Sequence, residues 1–168
     1  ATEAIGGGRE TLSVVVPLYN EECNVSELYR RLCDVLGPGA QMVFVDDGST
    51  DATVERLEEA SAGDTRVQIV KFRRNFGQTA ALSAGIDHSR GSIIVPMDGD
   101  LQNDPADIPR LLAKLDEGYD VVSGWRVDRK DPMLRRIPSR IAKGVQLLQV
   151  DVGVIDTRLL GQFAASCF

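Results

Sequence analysis

Histidine is nearly absent from this chain, His88 being the only one among 168 residues. A Ser-His or Cys-His catalytic pair therefore has a single position to draw on, and His88 falls near an expected helix end, where a surface or capping role suits it better than catalysis. Cysteine is scarce too. Cys23, Cys33 and Cys167 are odd in number, scattered and without metal-ligand spacing. That pattern excludes a disulfide framework and points to a reducing compartment; Cys33, at a helical core position, acts as a small hydrophobe. Aromatics make up only 5%. No apolar run approaches the roughly 20 residues of a membrane span, and the opening ATEAIGGGRE lacks the apolar core of a signal peptide. The expectation is a domain that does not cross a membrane by itself. Two nucleotide signatures are also missing: without GxGxxG a nicotinamide site has no phosphate turn, and without GxxxxGK[ST] there is no P-loop.

What is present is an ordinary globular composition, 43% hydrophobic and 26% charged. The length fits one domain able to bury a real core without metal or disulfides. Sixteen glycines with few aromatics favour α/β architecture over a β-sandwich. The net charge of −6 argues against nucleic acid as a partner. That charge is unevenly spread: between Arg126 and Lys143 seven basic residues face only Asp128 and Asp131. A basic patch on an acidic protein is aimed at something anionic.

Along the chain, apolar β-branched runs alternate with helical patterns. Residues 1–11 read as a flexible leader. Strands are expected at Leu12–Pro17, Met42–Val45, Val67–Phe72, Ile93–Met97 and Asp120–Ser123. Pro96 is awkward in the fourth, because it cannot donate a ladder hydrogen bond. Between them, Val25, Leu28, Leu32 and Val35 recur at helical spacing up to Gly37, Val54 and Leu57 mark a second helix, and Thr79–His88 a small-residue third. Ser49, Thr50 and Asp51 offer N-cap side chains for the second. Asp104 and Pro105 open a fourth helix carrying Ile108, Leu111, Leu112 and Leu115, which Gly118 ends. Such alternation predicts a mainly parallel sheet with helices on both faces.

Ligands of open parallel sheets bind at the carboxyl ends of the strands. Here those ends run into Pro17-Leu18-Tyr19-Asn20-Glu21, Asp46-Asp47-Gly48-Ser49, Asp98-Gly99-Asp100-Leu101-Gln102 and Ser123-Gly124-Trp125-Arg126. Four polar termini on one edge make a site. In extended backbone, residues two apart face the same side, so Asp98 and Asp100 can address one ion. Gly99 admits a ligand close to the backbone, and Gln102 adds a neutral oxygen. Hard oxygen donors of this kind suit Mg²⁺ or Mn²⁺. Asp-Gly is also common turn chemistry, and it is the apolar strand before it, with Asp46 and Asp47 at a neighbouring terminus, that favours the metal. Asp46 and Asp47 exceed what a helix cap needs, so that one can accept from a base or ribose while the other orients the loop.

Taken together, LSVVVPLYNEE, FVDDGSTD, RRNFGQTAALSAG, MDGDLQNDP and GWRVDRKDPMLRRIPSRIA resemble the GT-A-fold family 2 glycosyltransferases, and within them the polyprenyl-phosphate branch. The resemblance covers about Leu12 to Lys143. It implies a Rossmann-like GT-A domain over residues 12–143 that moves a sugar from a nucleotide-sugar to a polyprenyl phosphate with inversion, at the cytoplasmic face of a membrane. It assigns Pro17, Tyr19, Glu21, Val45, Asp47 and the Gly99 backbone to the nucleotide, with Asp46 beside them. Asp98, Asp100 and Gln102 become ligands of Mg²⁺ or Mn²⁺ and the diphosphate. Arg126, Arg135 and Ser139 grip the acceptor phosphate, which puts Asp98, Asp100, Arg126 and Arg135 at the catalytic centre. Arg129, Lys130, Arg136 and Arg140 then attract an anionic membrane surface.

Residues 144–168 depart from that family pattern. The expected acceptor-side DYGC-like motif is not recognised there, and the segment reads as a divergent, loosely packed tail. A family 2 transferase with a non-lipid acceptor, and a nucleotide-binding fragment without catalysis, remain the alternatives. A receiver-like domain shares the acidic strand ends but lacks a matching Lys on the final strand.

Overall fold

The computed structural model describes residues 11–119, 121–123 and 153–156. The expected alternation is present: β1 (Leu12–Leu18), α1 (Val25–Val35), β2 (Gln41–Asp46), α2 (Thr53–Ala60), β3 (Val67–Lys71), α3 (Gln78–Asp87), β4 (Ile93–Pro96), a single 3₁₀ turn at Pro105–Asp107 leading into α4 (Ile108–Leu115), β5 (Val121–Ser123) and β6 (Gly153–Asp156). The strands form one sheet in the order β3-β2-β1-β4-β6-β5. β1 to β4 are mutually parallel. β6 lies antiparallel between β4 and β5, so β5 points the same way as the first four.

Strand periodicity distributes the helices. Val14, Val16 and Leu18 of β1 share one core with Met42, Phe44, Leu28, Leu32, Leu57 and Ile108, which places α1, α2 and α4 on one face. Val15, Val43, Val45 and Ile94 point the other way and meet Ala81 of α3. The small residues of α3 have a purpose. A Cβ on Gly85 would lie 2.2 Å from Val15 Cγ1, so glycine lets this helix sit directly on the sheet. Below α3, buried Ser13 and Gln41 are hydrogen-bonded to one another at 2.8 Å and accept from the amides of Gly91 and Arg90. The polar pair is thus satisfied inside the core.

Pro96 proves compatible with its strand for a directional reason. The amides of Ile93 and Met97 donate to Thr11 and Val15 of β1, so even-numbered residues face β6. The β4–β6 ladder pairs only Ile93 and Ile94, and Pro96 lies beyond it, where no donor is required. Asp104 and Pro105 open the 3₁₀ turn as expected, Asp104 accepting from the Ala106 amide at 3.0 Å. Asp51 acts at the start of α2 as expected, accepting from the amide of its first residue, Thr53, at 3.1 Å, while Ser49 and Thr50 depart from expectation and bond to Asn20 in the loop after β1. The stretch set apart as a tail also differs, since Gly153–Asp156 within it is a central strand of the sheet. Residues 1–10 of the expected leader and the basic segment lie outside the described residues. No helix among the described residues is long and apolar enough to cross a membrane.

On the edge opposite the acidic strand ends, Arg66 forks onto Asp64 at 2.7 Å while Tyr29 donates to the same carboxylate at 2.9 Å. The Arg66 guanidinium holds the Asp64 carboxyl well below its ordinary range. Burial, with Cys33 and Asp64 adding to it, pushes the Tyr29 phenol up. A depressed carboxyl pKa stabilises the fold fully above the unfolded value of about 4, and that contribution is lost as pH falls towards the folded value. Asp64→Asn should therefore cost about 1–2 kcal/mol at pH 7, and the gap to the parent should shrink below pH ~4. Urea unfolding at pH 7 and pH 3 measures both; a gap equal at the two pH values contradicts the linkage.

Candidate functional site

Because β1, β2 and β4 are parallel and adjacent, their carboxyl ends open on one edge, where a cavity of about 340 Å³ forms. It is lined by Pro17, Leu18, Tyr19 and Glu21 after β1, Asp47 after β2, Asn75, Gly77 and Gln78 before α3, and Asp98, Gly99 and Asp100 after β4. Its size is that of a small-molecule site. Four carboxylates border it, and none of the described lining residues is basic.

The loops around the cavity are laced together residue by residue. After β1, Asn20 takes a left-handed φ of 56°. Its amide donates to Ser49 Oγ at 2.9 Å and its side chain accepts from the Thr50 amide at 2.9 Å. The amides of Glu21 and Glu22 donate to Thr53 Oγ1 and Asp51 Oδ2 at 2.8 and 3.2 Å. Asp51 is partly desolvated, which works against its charge, yet the hydroxyl and amide of Thr53 and the Glu22 amide hold its carboxyl below the ordinary value. Asp46 accepts from the Ser49 amide at 3.2 and 3.3 Å. The FVDDGSTD motif is thus largely a fastening between two loops.

Asp47 is the buried member of the edge, 3% exposed. Its two carboxylate oxygens accept from the amides of Phe76 and Gly77 at 2.7 and 2.9 Å. Gly48 makes that approach possible. It has φ 74°, and a Cβ there would lie 2.5 Å from the Arg74 backbone. After β4, a Cβ on Gly99 would meet Leu18 at 2.5 Å, so glycine draws the acidic turn against the end of β1. Asp98 accepts from Gln78 Nε2 at 2.7 Å, and Asp100 accepts from the Gln102 amide at 3.0 Å. Leu101 follows in the left-handed region at φ 61°, a conformation costing a branched residue about 1–2 kcal/mol. It is packed against the main core, which holds it there. Such backbone strain clusters at functional sites.

The expected residues therefore divide. Pro17, Tyr19, Glu21, Asp47, Asp98, Gly99 and Asp100 converge on one cavity. Val45, fully buried, is a core side chain against α3 and does not line it, because it lies inside the strand rather than beyond its end. Asp46 is 4% exposed and occupied with Ser49. Gln102 is exposed and off the cavity wall. Arg126, Arg135 and Ser139 lie outside the described residues. Asn75, Gly77 and Gln78 were given no role from sequence, although Asn75-Phe76-Gly77 between a strand and a helix was the signal for a loop at the same edge. His88 ends α3, its Nδ1 2.7 Å from the Ala84 carbonyl oxygen, in keeping with a capping role.

No group of three or more His, Cys, Asp or Glu side chains able to hold a metal occurs among the described residues. Two carboxylates on one acidic cavity nonetheless suit Mg²⁺ or Mn²⁺, which bind through one or two carboxylates plus substrate phosphates and water.

Residues 13–159 match the sequence model of glycosyl transferase family 2. The chain belongs to that family. The matched span runs past Lys143 and takes in β6. Curated family 2 relatives include an undecaprenyl-phosphate 4-deoxy-4-formamido-L-arabinose transferase of Edwardsiella ictaluri, 45% identical over 138 residues, covering 80% of this chain and 42% of the relative. A Pseudomonas aeruginosa protein of the same name is 46% identical over 136 residues, covering 79% and 40%. The chain thus spans about two-fifths of the length of these relatives. Among solved structures, this family 2 domain is similar to the mannosyltransferase PcManGT of Pyrobaculum calidifontis in complex with GDP-Man and Mn²⁺, with TM-score 0.73, 22% identity and coverage of 94% of this chain and 47% of the other. It is also similar to a Mycobacterium tuberculosis glucosyl-3-phosphoglycerate synthase bound to UDP, with TM-score 0.66, 23% identity and coverage of 90% and 58%. These likenesses establish the GT-A α/β fold.

Asp47→Ala in this family 2 domain strands two amides and should cost about 2–4 kcal/mol. Hydrogen exchange should show protection lost first at Phe76 and Gly77; unchanged protection at both amides contradicts the anchoring role.

Proposed function

We propose that this domain transfers a sugar from a nucleotide-sugar donor to a polyprenyl phosphate, with inversion, at the cytoplasmic face of a membrane. The observation that carries the proposal is the cavity at the ends of β1, β2 and β4, whose described lining carries four carboxylates and no basic residue. A nucleoside diphosphate cannot approach four carboxylates unaided, because like charges at short range repel by several kcal/mol at a protein-like dielectric of about 20. Asp98 and Asp100 would hold Mg²⁺ or Mn²⁺ there, and the ion supplies the positive charge that offsets the departing diphosphate. Pro17, Tyr19, Glu21 and Asp47 form the nucleotide side of the cavity.

The acceptor reading rests on the names of the curated relatives and on the basic segment around Arg126, Arg135 and Ser139. Arginine forks pair with phosphate oxygens without losing charge, and the outer basic residues suit an anionic lipid surface. An acceptor phosphate is already anionic at neutral pH, so no general base is needed. That agrees with the only histidine lying at the far end of α3, roughly 15 Å along the helix from the cavity. In the step itself an acceptor phosphate oxygen bonds to the anomeric carbon, while the bond from that carbon to the diphosphate oxygen breaks and takes its electron pair to the leaving group. Displacement in line inverts the anomeric centre.

Asp100→Asn should reduce Mn²⁺-dependent binding of UDP or GDP at least tenfold, the effect of about 1.4 kcal/mol, and leave the fold intact. Calorimetry showing unchanged binding contradicts the metal assignment. With a panel of nucleotide sugars and undecaprenyl or dolichyl phosphate, Arg135→Ala should lose transfer yet keep donor binding. Normal transfer by that variant makes a non-lipid acceptor the better reading. Donor binding with no turnover in the parent chain favours a non-catalytic fragment.

A further inference from the structure

We propose that Gln78 is a positioning residue that fixes the orientation of the Asp98 carboxylate towards the metal-bound diphosphate, an inference that rests on the metal reading above. Gln78 is the first residue of α3, and its Nε2 donates to Asp98 Oδ1 at 2.7 Å. Both residues line the cavity. The contact joins two elements twenty residues apart in sequence, so it must be held from both sides.

On one side, Gly77 precedes Gln78 with φ 95°, and its amide is fastened to Asp47 at 2.9 Å. On the other, Gly99 seats the turn against Leu18. Asp47 therefore sets the start of α3, and Gln78 carries that placement across the cavity mouth to Asp98. Asp98 lies beyond the last residue of β4, on the same cavity wall as the carboxylates of Glu21, Asp47 and Asp100, and a hydrogen bond donated to Oδ1 sets which way its carboxylate faces. An amide donor suits this position because it steers the carboxylate without contributing a positive charge that would compete with a divalent ion.

Gln78→Met keeps length and helix propensity and removes the donor. Because Gln78 is exposed, the fold should be unaffected by circular dichroism. Calorimetry with UDP and with GDP, each with Mn²⁺ and with EDTA, separates the outcomes. The variant should bind about five- to tenfold more weakly with Mn²⁺, as expected for loss of a hydrogen bond to a charged group at an exposed position, and equally well in EDTA. Unchanged affinity with Mn²⁺ overturns the proposal. An equal loss in both conditions also overturns it, since Gln78 would then contact the nucleotide itself. The contact has its own readout in the Gln78 side-chain amide resonance, identified by its loss in Gln78→Met. That resonance should shift in Asp98→Ala without metal or nucleotide, and an unshifted signal overturns the proposal. A parent chain that binds neither nucleotide contradicts the functional reading instead, and the resonance then decides the positioning contact independently.

Discussion

The cavity depends on one buried carboxylate. Asp47 follows β2 directly, its own amide bonded to the Leu18 carbonyl at 2.8 Å, and both its oxygens are taken by the amides that lead into α3. A carboxylate taken from water at this depth persists only when its acceptor sites are filled. Two backbone amides fill them and leave the negative charge in place. The arrangement ties together the exits of β1 and β2 and the entry to α3. The glycines at positions 48 and 77 permit the close turns that this requires.

The electrostatics follow from that geometry. Backbone amides hold Asp47 and Asp100 without adding positive charge, so the described lining of the cavity is acidic. The ion pairs seen among the described residues lie elsewhere. Arg30 and Arg31 hold the Glu27 carboxyl down to about 2 on the exposed face of α1, and Arg66 with Asp64 closes the opposite edge of the sheet.

The architecture was legible because each of the first four strands is a short β-branched run bounded by turn residues, and each helix carries its own apolar spacing. Where local chemistry was ambiguous, sequence alone could not choose. Ser49 has the same acceptor oxygen whether it caps a following helix or bonds to a chain some thirty residues away, Asp51 accepts from both Thr53 of α2 and the distant Glu22, and the distant partners are set by the β1–β2 pairing. Val45, Asp46 and Asp47 are consecutive in one motif, but only the last lies beyond the strand end, so only it reaches the cavity. Gln78 was invisible as a site residue because its partner, Asp98, is brought to it by the parallel crossover. β6 was missed since Val152-Gly153-Val154-Ile155 is short and lies among residues without a clear helical or strand neighbour.

The antiparallel placement of β6 between β4 and β5 sets an order of events during synthesis. The chain emerges from its N-terminus, so β1 to β4 can pair while later residues are still being made. β5 emerges next, and the strand it pairs with among the described residues begins some thirty residues later. Until Gly153–Asp156 arrives, β4 presents an open edge, the kind of surface on which chains pair wrongly with one another. Newly made domain is thus most vulnerable to association in that interval, which ends when Gly153–Asp156 covers the β4 edge.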